Sequence, residues 1–233
     1  MKLSRNQIHI WKANLKRHSS DLDYLYHKVL SPDERDRADA LRSEGDQKRS
    51  IISRGLLRKK LGSYLESDPA HLSFSYNKYG KPYLDANSHK GDLKFNVSHS
   101  KDMVVYAVTL NREIGIDVEY LKEVNKADKI VDRFFSEAEM KFYNSQSEDR
   151  KKWAFFTLWT RKEAYSKAMG RGIGLPATDF DLDLTLDCDQ HKPVSWGKSK
   201  WTLYSIEIDT GYLAALATEG DNVDICHCNP QSS

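Results

Sequence analysis

A chain of 233 residues, 39% hydrophobic and 30% charged, is long enough for one large domain or two small ones around a substantial core. Thirty-six Lys and Arg against 34 Asp and Glu leave a formal net charge of +2, which argues against intrinsic disorder and against a general nucleic-acid binder. No run approaches the roughly 18 apolar residues of a membrane span, and residues 1–11 lack the apolar stretch expected of a secretory signal.

Residues 7–11 alternate around Ile8 and Ile10 and predict a first strand. Ser31-Pro32-Asp33-Glu34 predicts a helix start, with Ser as N-cap, Pro at the first helical position and acids in the first turn. A second helix is predicted over 46–64, where Ile51, Ile52, Leu56, Leu57 and Leu61 form an apolar stripe flanked by Arg49, Arg54, Arg58, Lys59 and Lys60. Phe74-Ser75-Tyr76 followed by Tyr79-Gly80-Lys81-Pro82-Tyr83 reads as a strand and turn. Residues 93–97 alternate as a strand that stops at Ser98-His99-Ser100. The apolar run 103–110 fits a buried strand. In 114–120, Ile114, Ile116, Val118 and Tyr120 alternate with Gly115, Asp117 and Glu119, a strand with one face toward the core.

Helices are predicted over 126–134, from the capping box Ser136-Glu137-Ala138-Glu139 to about 144, and over 148–169, the last ended by Gly170 and Gly172. Late strands are predicted over 180–186, 201–208 and 212–218. Three cysteines, Cys188, Cys226 and Cys228, suit a reduced, cytoplasmic chain. Cys226-His227-Cys228 has no second ligand pair to complete a metal site and is expected to be a frayed tail. Strands and helices mix without regular βαβ alternation, so the fold class is α+β, with any division into halves near the 114–120 strand.

Asp117 and Glu119, two apart on a strand, point to the same face about 7 Å apart. Such a pair needs a bound cation, a Lys or Arg partner, or full solvation. Trp159, Glu163 and Lys167, at steps of four, share one helix stripe, and Glu163–Lys167 alone would be an ordinary ion pair. Ser98-His99-Ser100 after a strand offers hydroxyls, an imidazole and backbone N–H groups that suit a phosphate, or else a surface loop. Arg37, Arg49 and Lys81 lie near helix ends and turns, where solvated surface is the default.

In chain order, Asn96-Val97-Ser98-His99-Ser100, Gly115-Ile116-Asp117-Val118-Glu119, Phe134-Phe135-Ser136 and Trp159-Thr160-Arg161-Lys162-Glu163-Ala164-Tyr165-Ser166-Lys167 resemble the broad-specificity, Sfp-like class of 4′-phosphopantetheinyl transferases. The resemblance spans about residues 31–216. It implies two similar α/β subdomains related by a pseudo-twofold axis: 1–115 with coenzyme A phosphate and adenine contacts, and 116–233 with the metal site, catalytic helix and carrier-protein docking. It implies transfer of the 4′-phosphopantetheine arm of coenzyme A to a serine of an apo acyl or peptidyl carrier protein, with Mg²⁺ or Mn²⁺ as cofactor. A set of carboxylates without His or Cys suits such a hard ion.

Carried over residue by residue, the resemblance makes Asp117, Glu119 and Glu163 the metal ligands. It places His99 on the 3′-phosphate between Ser98 and Ser100, Arg37 and Arg49 on phosphates, and Lys81 on the adenine-side turn. Glu163 becomes the base for the carrier serine and Lys167 the group that stabilises the departing phosphate. Asp117, Glu163 and Lys167 therefore also face coenzyme A. Carrier docking is expected near Gly170, Arg171, Ile173, Leu175 and Pro176. One departure is Glu34, where close relatives carry lysine, with Arg35 the candidate replacement. Arg161 is given no role. The competing readings are a metal-dependent phosphohydrolase on the same carboxylates and a coenzyme A-binding regulatory module without transfer. Length favours a pseudo-dimeric monomer over the half-length trimeric branch.

Overall fold

The computed structural model describes residues 1–85, 92–124, 127–171, 192–196 and 199–228. The predicted strand over 180–186 and the docking residues Ile173, Leu175 and Pro176 lie outside them. β1 (Gln7–Asn14) is followed by a helical stretch from Leu15 to Val29, whose single α turn is α1 (Leu22–Tyr24), then by α2 (Pro32–Asp39) and α3 (Glu44–Leu65). A short hairpin, β2 (Phe74–Tyr76) and β3 (Pro82–Leu84), precedes β4 (Leu93–Ser100), β5 (Met103–Leu110) and β6 (Ile114–Tyr120). Then come α4 (Ala127–Phe134), α5 (Glu137–Asn144), α6 (Glu148–Ala168), β7 (Lys192–Trp196), β8 (Ser199–Ile206), β9 (Tyr212–Glu219) and β10 (Asp224–Cys228).

Two four-stranded sheets organise the chain, one in the order β10-β1-β5-β4 and the other β6-β9-β8-β7. The expected α+β class is what the structure has. On β1, β4 and β5 the period-2 alternation sends Trp11, Phe95, Val104, Tyr106 and Val108 toward α3, which meets them with Ile52, Leu56, Leu57 and Leu61. On the second sheet, Trp201, Leu203, Ala215 and Ala217 pack against Phe155, Leu158 and Tyr165 of α6. The inner faces share a third cluster: Ile8, Ile10, Val105 and Ala107 from the first sheet against Ile116, Val118, Ile206 and Leu216 from the second. The layers therefore run helix, sheet, sheet, helix, and a shared apolar core fixes one sheet on the other.

Two expectations change. The Cys226–Cys228 segment is not a frayed tail but an edge strand, β10, paired in parallel with β1 through Cys226↔His9 and Cys228↔Trp11. The alternation of Ile225 and His227 with Cys226 and Cys228 carried that signal, masked by its short length. β4 also does not stop before Ser98: its pairing runs on through Ser98↔Val105, His99↔Val104 and Ser100↔Met103, to a turn at Lys101 and Asp102. Ser98-His99-Ser100 is therefore strand: the Ser98 and Ser100 side chains face β6, and His99 lies on the opposite face, in phase with Phe95 and Val97.

Candidate active site

The site forms where the two sheets abut. β4 and β6 are edge strands of different sheets. They lie side by side without a backbone ladder, joined by side chains. Asn96 Oδ1 accepts the Ile116 N–H at 2.9 Å, Ser98 Oγ the Val118 N–H at 3.3 Å, and Ser100 Oγ the Tyr120 N–H at 3.1 Å. Every second residue of β4 thus satisfies every second N–H on the free edge of β6, and the register advances in step. An unpaired buried N–H would cost about 1–3 kcal/mol, so three polar side chains at period 2 on the β6-facing side of β4 are structurally required.

The same serines hold the carboxylates. Ser98 Oγ donates to Asp117 Oδ1 at 2.8 Å, and Ser100 Oγ donates to Glu119 Oε2 at 2.8 Å. Lys167 Nζ, from the last turns of α6, donates to Asp117 Oδ1 at 2.7 Å and to Ser98 Oγ at 2.8 Å. Ser98 thereby uses its one proton and both lone pairs. Asp117 is only 4% exposed, and its second oxygen, Oδ2, is buried without a hydrogen-bond partner.

Glu163 stands one turn before Lys167. Burial, then the negative charges of Asp117 and Glu119, push its carboxyl up to about 7, against the opposing pull of Lys167. Glu119 is also raised, first by burial and then by Asp117, with the Ser100 hydrogen bond opposing. Three carboxylates in one field, with Lys167 among them and Lys122 near Glu119, are under-compensated. Among the described residues, no three His, Cys, Asp or Glu side chains are placed to cage an ion as they stand. The donors still fit a hard divalent ion: all are oxygens, they repel one another, and Asp117 Oδ2 is desolvated with nothing to bind.

The strained charge of Glu163 has a stability consequence. Below pH 4.5 the group is protonated in folded and unfolded chains alike and contributes nothing. Between 4.5 and 7 the unfolded chain loses its proton first, so stability falls, and above 7 the full penalty applies. That penalty is about 2 kcal/mol once solvent screening of a half-buried group is allowed for. In chelator, Glu163→Gln is expected to exceed the wild type in urea-unfolding free energy by about that amount at pH 8 and by much less at pH 5. A difference independent of pH would contradict the placement of Glu163.

Gly115 sets the distance between β6 and α6. A Cβ there would lie 2.0 Å from the Ala164 carbonyl oxygen and 2.3 Å from the Ala168 nitrogen. Only glycine lets the helix approach closely enough for Lys167 to reach Asp117. At the end of α6, Gly170 has φ +65°, and its carbonyl accepts from Asn77 Nδ2 at 2.7 Å. The β2–β3 turn docks on this helix end. Lys81 Nζ contacts Ala168 O at 3.0 Å, Ile114 O at 3.2 Å and Glu113 Oε2 at 3.1 Å, so its three donors serve the chain itself. A cavity of about 290 Å³ opens beside it, lined by Asn77, Pro82, Tyr83, Lys94 and Met169 among others.

The remaining expected residues divide. His99 is next to the carboxylate cluster. Its pKa is lowered, first by desolvation and then by the positive charges of Lys167 and Arg49. Arg49, half exposed, bonds Asp46 at 2.5 Å. The structure thus gathers Asp117, Glu119, Glu163, Lys167, Ser98, Ser100, His99 and Arg49. Arg37 is elsewhere on α2, paired with Asp33 and stacked 4.8 Å from the Tyr76 ring. Glu34 is a structural residue, 5% exposed, with its carboxylate on Arg58 at 2.5 Å and Arg54 at 3.1 Å. Lys162, inside the resembling helix segment, turns away to the fully buried Glu139 at 2.7 Å. Asn96, Gly115, Asn77 and Glu113 had no assigned role from sequence. A larger cavity, about 660 Å³, lies between α6 and the end of β8, lined by Thr157, Arg161, Ser205, Asp209 and His227 among others, and holds none of the expected site residues.

Known proteins bear on this arrangement. A family model described as "4′-phosphopantetheinyl transferase superfamily" matches residues 113–217, and one described as "4′-phosphopantetheinyl transferase, N-terminal" matches residues 16–111. The 4′-phosphopantetheinyl transferase HetI of Nostoc sp. (strain PCC 7120) is 34% identical over 218 residues, covering 94% of this chain and 90% of that one. The 4′-phosphopantetheinyl transferase gsp of Aneurinibacillus migulanus is 35% identical over 176 residues, covering 74% and 69%. The 4′-phosphopantetheinyl transferase Sfp of Bacillus subtilis (strain 168) is 29% identical over 198 residues, covering 85% and 86%. Two family halves in the right order, and a relative similar across nine-tenths of both chains, place this chain in the 4′-phosphopantetheinyl transferase family.

Proposed function

We propose that this chain moves the 4′-phosphopantetheine arm of coenzyme A onto a serine hydroxyl of an apo carrier protein, releasing adenosine 3′,5′-bisphosphate, in an Mg²⁺-dependent reaction that Mn²⁺ also supports. The observation that carries this reading is the junction of Asp117, Lys167 and Ser98 beside Glu119 and Glu163, with Asp117 Oδ2 buried and unpartnered. Asp117, Glu119 and Glu163 would hold the divalent ion. When bound, that ion supplies neutralisation of the charge that builds on the diphosphate during transfer.

The residues divide the remaining work. In the transfer, the carrier serine oxygen forms a bond to the β-phosphorus of coenzyme A as the bond to the bridging oxygen breaks. Glu163, raised into the neutral pH range, is suited to take the serine proton. Two of the three Lys167 protons are held by Asp117 and Ser98. The third serves the departing phosphate. Arg49 supplies positive charge suited to the 3′-phosphate and His99, its pKa lowered, a neutral ring that can still donate one N–H, with Arg37 farther along the phosphate side. The cavity at the Lys81 turn suits the adenine, and Lys81 acts there by fixing that turn on α6. Most of the acceleration then comes from positioning and charge.

In this reading residues 1–115 carry the nucleotide contacts, and residues 116–233 carry the carboxylates, the catalytic helix and the docking surface from Gly170 and Arg171 onward. The sheets cover each other's inner faces within one chain, which supports a monomer. No described helix is long and apolar enough to cross a membrane, and the coenzyme A requirement suits the cytoplasm. The test is mass spectrometry of an apo carrier protein incubated with this chain, coenzyme A and Mg²⁺. The expected result is a gain of one phosphopantetheine arm on the carrier serine. No gain on a carrier that the Nostoc relative converts would overturn the proposal.

A further inference from the structure

The other edge of the first sheet holds an amine that this chemistry does not use. Lys60 is on α3, over β1 and β10, whereas the carboxylate site is at β4. Its Nζ lies 4.0 Å from the centroid of the Trp11 ring and 5.8 Å from that of Tyr106. Among the described residues Lys60 makes no ion pair and no side-chain hydrogen bond. It opens into a cavity of about 170 Å³, lined also by Trp11, Ala13, Leu56, Lys59 and Ser63, with His18 at the wall. A lysine held only by aromatic faces, with no carboxylate to fix its charge, is unusual, because a buried ammonium normally finds an anion.

Among the described residues, the groups around it do not supply one. Lys59 on the same helix is positive and opposes the charge. Trp11 on β1 and Tyr106 on β5 offer rings, and the Tyr106 hydroxyl is already bound to Ser53 O at 2.9 Å. The Cys228 thiol on β10 has its own pKa raised by burial, so it stays neutral. The Tyr64 hydroxyl accepts from Trp11 Nε1 at 2.8 Å and shares a hydrogen bond with His9 Nδ1 at 2.7 Å, so its bonds go to those two groups. His9, its pKa lowered by desolvation, is neutral as well. Burial takes the Lys60 amine down to about 8.

We propose that Lys60 is an acylation site, taking a short acyl group from a thioester into the cavity beside Trp11. The neutral amine attacks the thioester carbonyl. The N–C bond forms, the C–S bond breaks with its electron pair leaving on sulfur, and the proton lost by nitrogen goes to the departing thiolate. The products are an Nε-acyl-lysine and a free thiol. The amide needs no counter-ion, so acylation removes the half-buried Lys60 charge, and the acyl carbons meet the apolar walls of Trp11, Ala13 and Leu56. The site is independent of the transferase reading, since it shares no residue with it.

Free amine is the reacting form. At pH 8 about half of Lys60 is free amine, against roughly 0.3% for an ordinary lysine. The lower basicity returns part of that advantage, leaving about tenfold. The test treats the folded chain with S-acetyl-N-acetylcysteamine, a thioester without a nucleotide, and follows each lysine by peptide mass spectrometry from pH 6.5 to 9.5. Lys60 is expected to acetylate about tenfold faster than its exposed neighbour Lys59 at pH 8, with a rate that levels off above pH 8 while that of Lys59 keeps rising. In strong urea the two rates should converge. Equal rates in the folded chain, a Lys60 profile without the bend, or a preference that survives urea would each overturn the proposal.

Discussion

Asp117→Asn is expected to reduce Mg²⁺-dependent loading of an apo carrier protein on the order of 10³-fold or more. The substitution keeps the size and shape of the side chain and a carbonyl oxygen for the Ser98 and Lys167 donors. What it removes is the charge, and with it the anionic oxygen that lies buried and unpaired as Oδ2. Relief of the repulsion on Glu163 offsets part of the lost Lys167 pair, so folding stability should change little. The discriminating measurement is thermal unfolding with and without Mg²⁺. The wild type should gain stability from the ion and the variant should not, because only a ligand bound to the folded state raises its melting temperature. Loading within tenfold of the wild type, or an unchanged Mg²⁺ response, would remove Asp117 from the metal set.

The sequence made the strands of the site legible and left its joinery hidden, for a physical reason. Period-2 alternation marks Ile116 and Val118 as core, so Asp117 and Glu119 on the opposite face follow from one strand alone. The stripe of Glu163 and Lys167 follows from helix periodicity in the same way. Both are properties of a single element. The seam is not: Asn96, Ser98 and Ser100 read as a strand end and a polar loop because nothing local says that a second edge strand lies against them. Their true role, accepting β6 N–H groups, exists only once two sheets abut. Glu34 and Lys81 show the same limit. Their charges suggest surface or ligand, and their partners Arg58, Ala168 O and Glu113 come from distant segments. Cys226 to Cys228 was missed because a five-residue edge strand is too short for its pattern to outweigh its polar flank.

Gly115→Ala should be the most damaging methyl group that can be added at a described glycine. The colliding atoms are the backbone oxygen of Ala164 and the backbone nitrogen of Ala168, so no side-chain rotation can make room. Either β6 moves away from α6 or the last helical turns unwind. Overpacking of this kind costs about 3 kcal/mol or more, roughly 6–12 °C in melting temperature for a chain of this size. Activity should fall further than stability. Lys167 and Glu163 lie on the displaced helix while Asp117 and Glu119 lie on the strand, so a shift of about 1 Å between them is enough to cost on the order of 10²-fold. Ala168→Gly alone should be mild, and combined with Gly115→Ala it should rescue nothing, because removing a methyl from 168 leaves the offending nitrogen in place. A Gly115→Ala chain with wild-type melting and wild-type carrier loading would show that the close approach of β6 to α6 does not set the site.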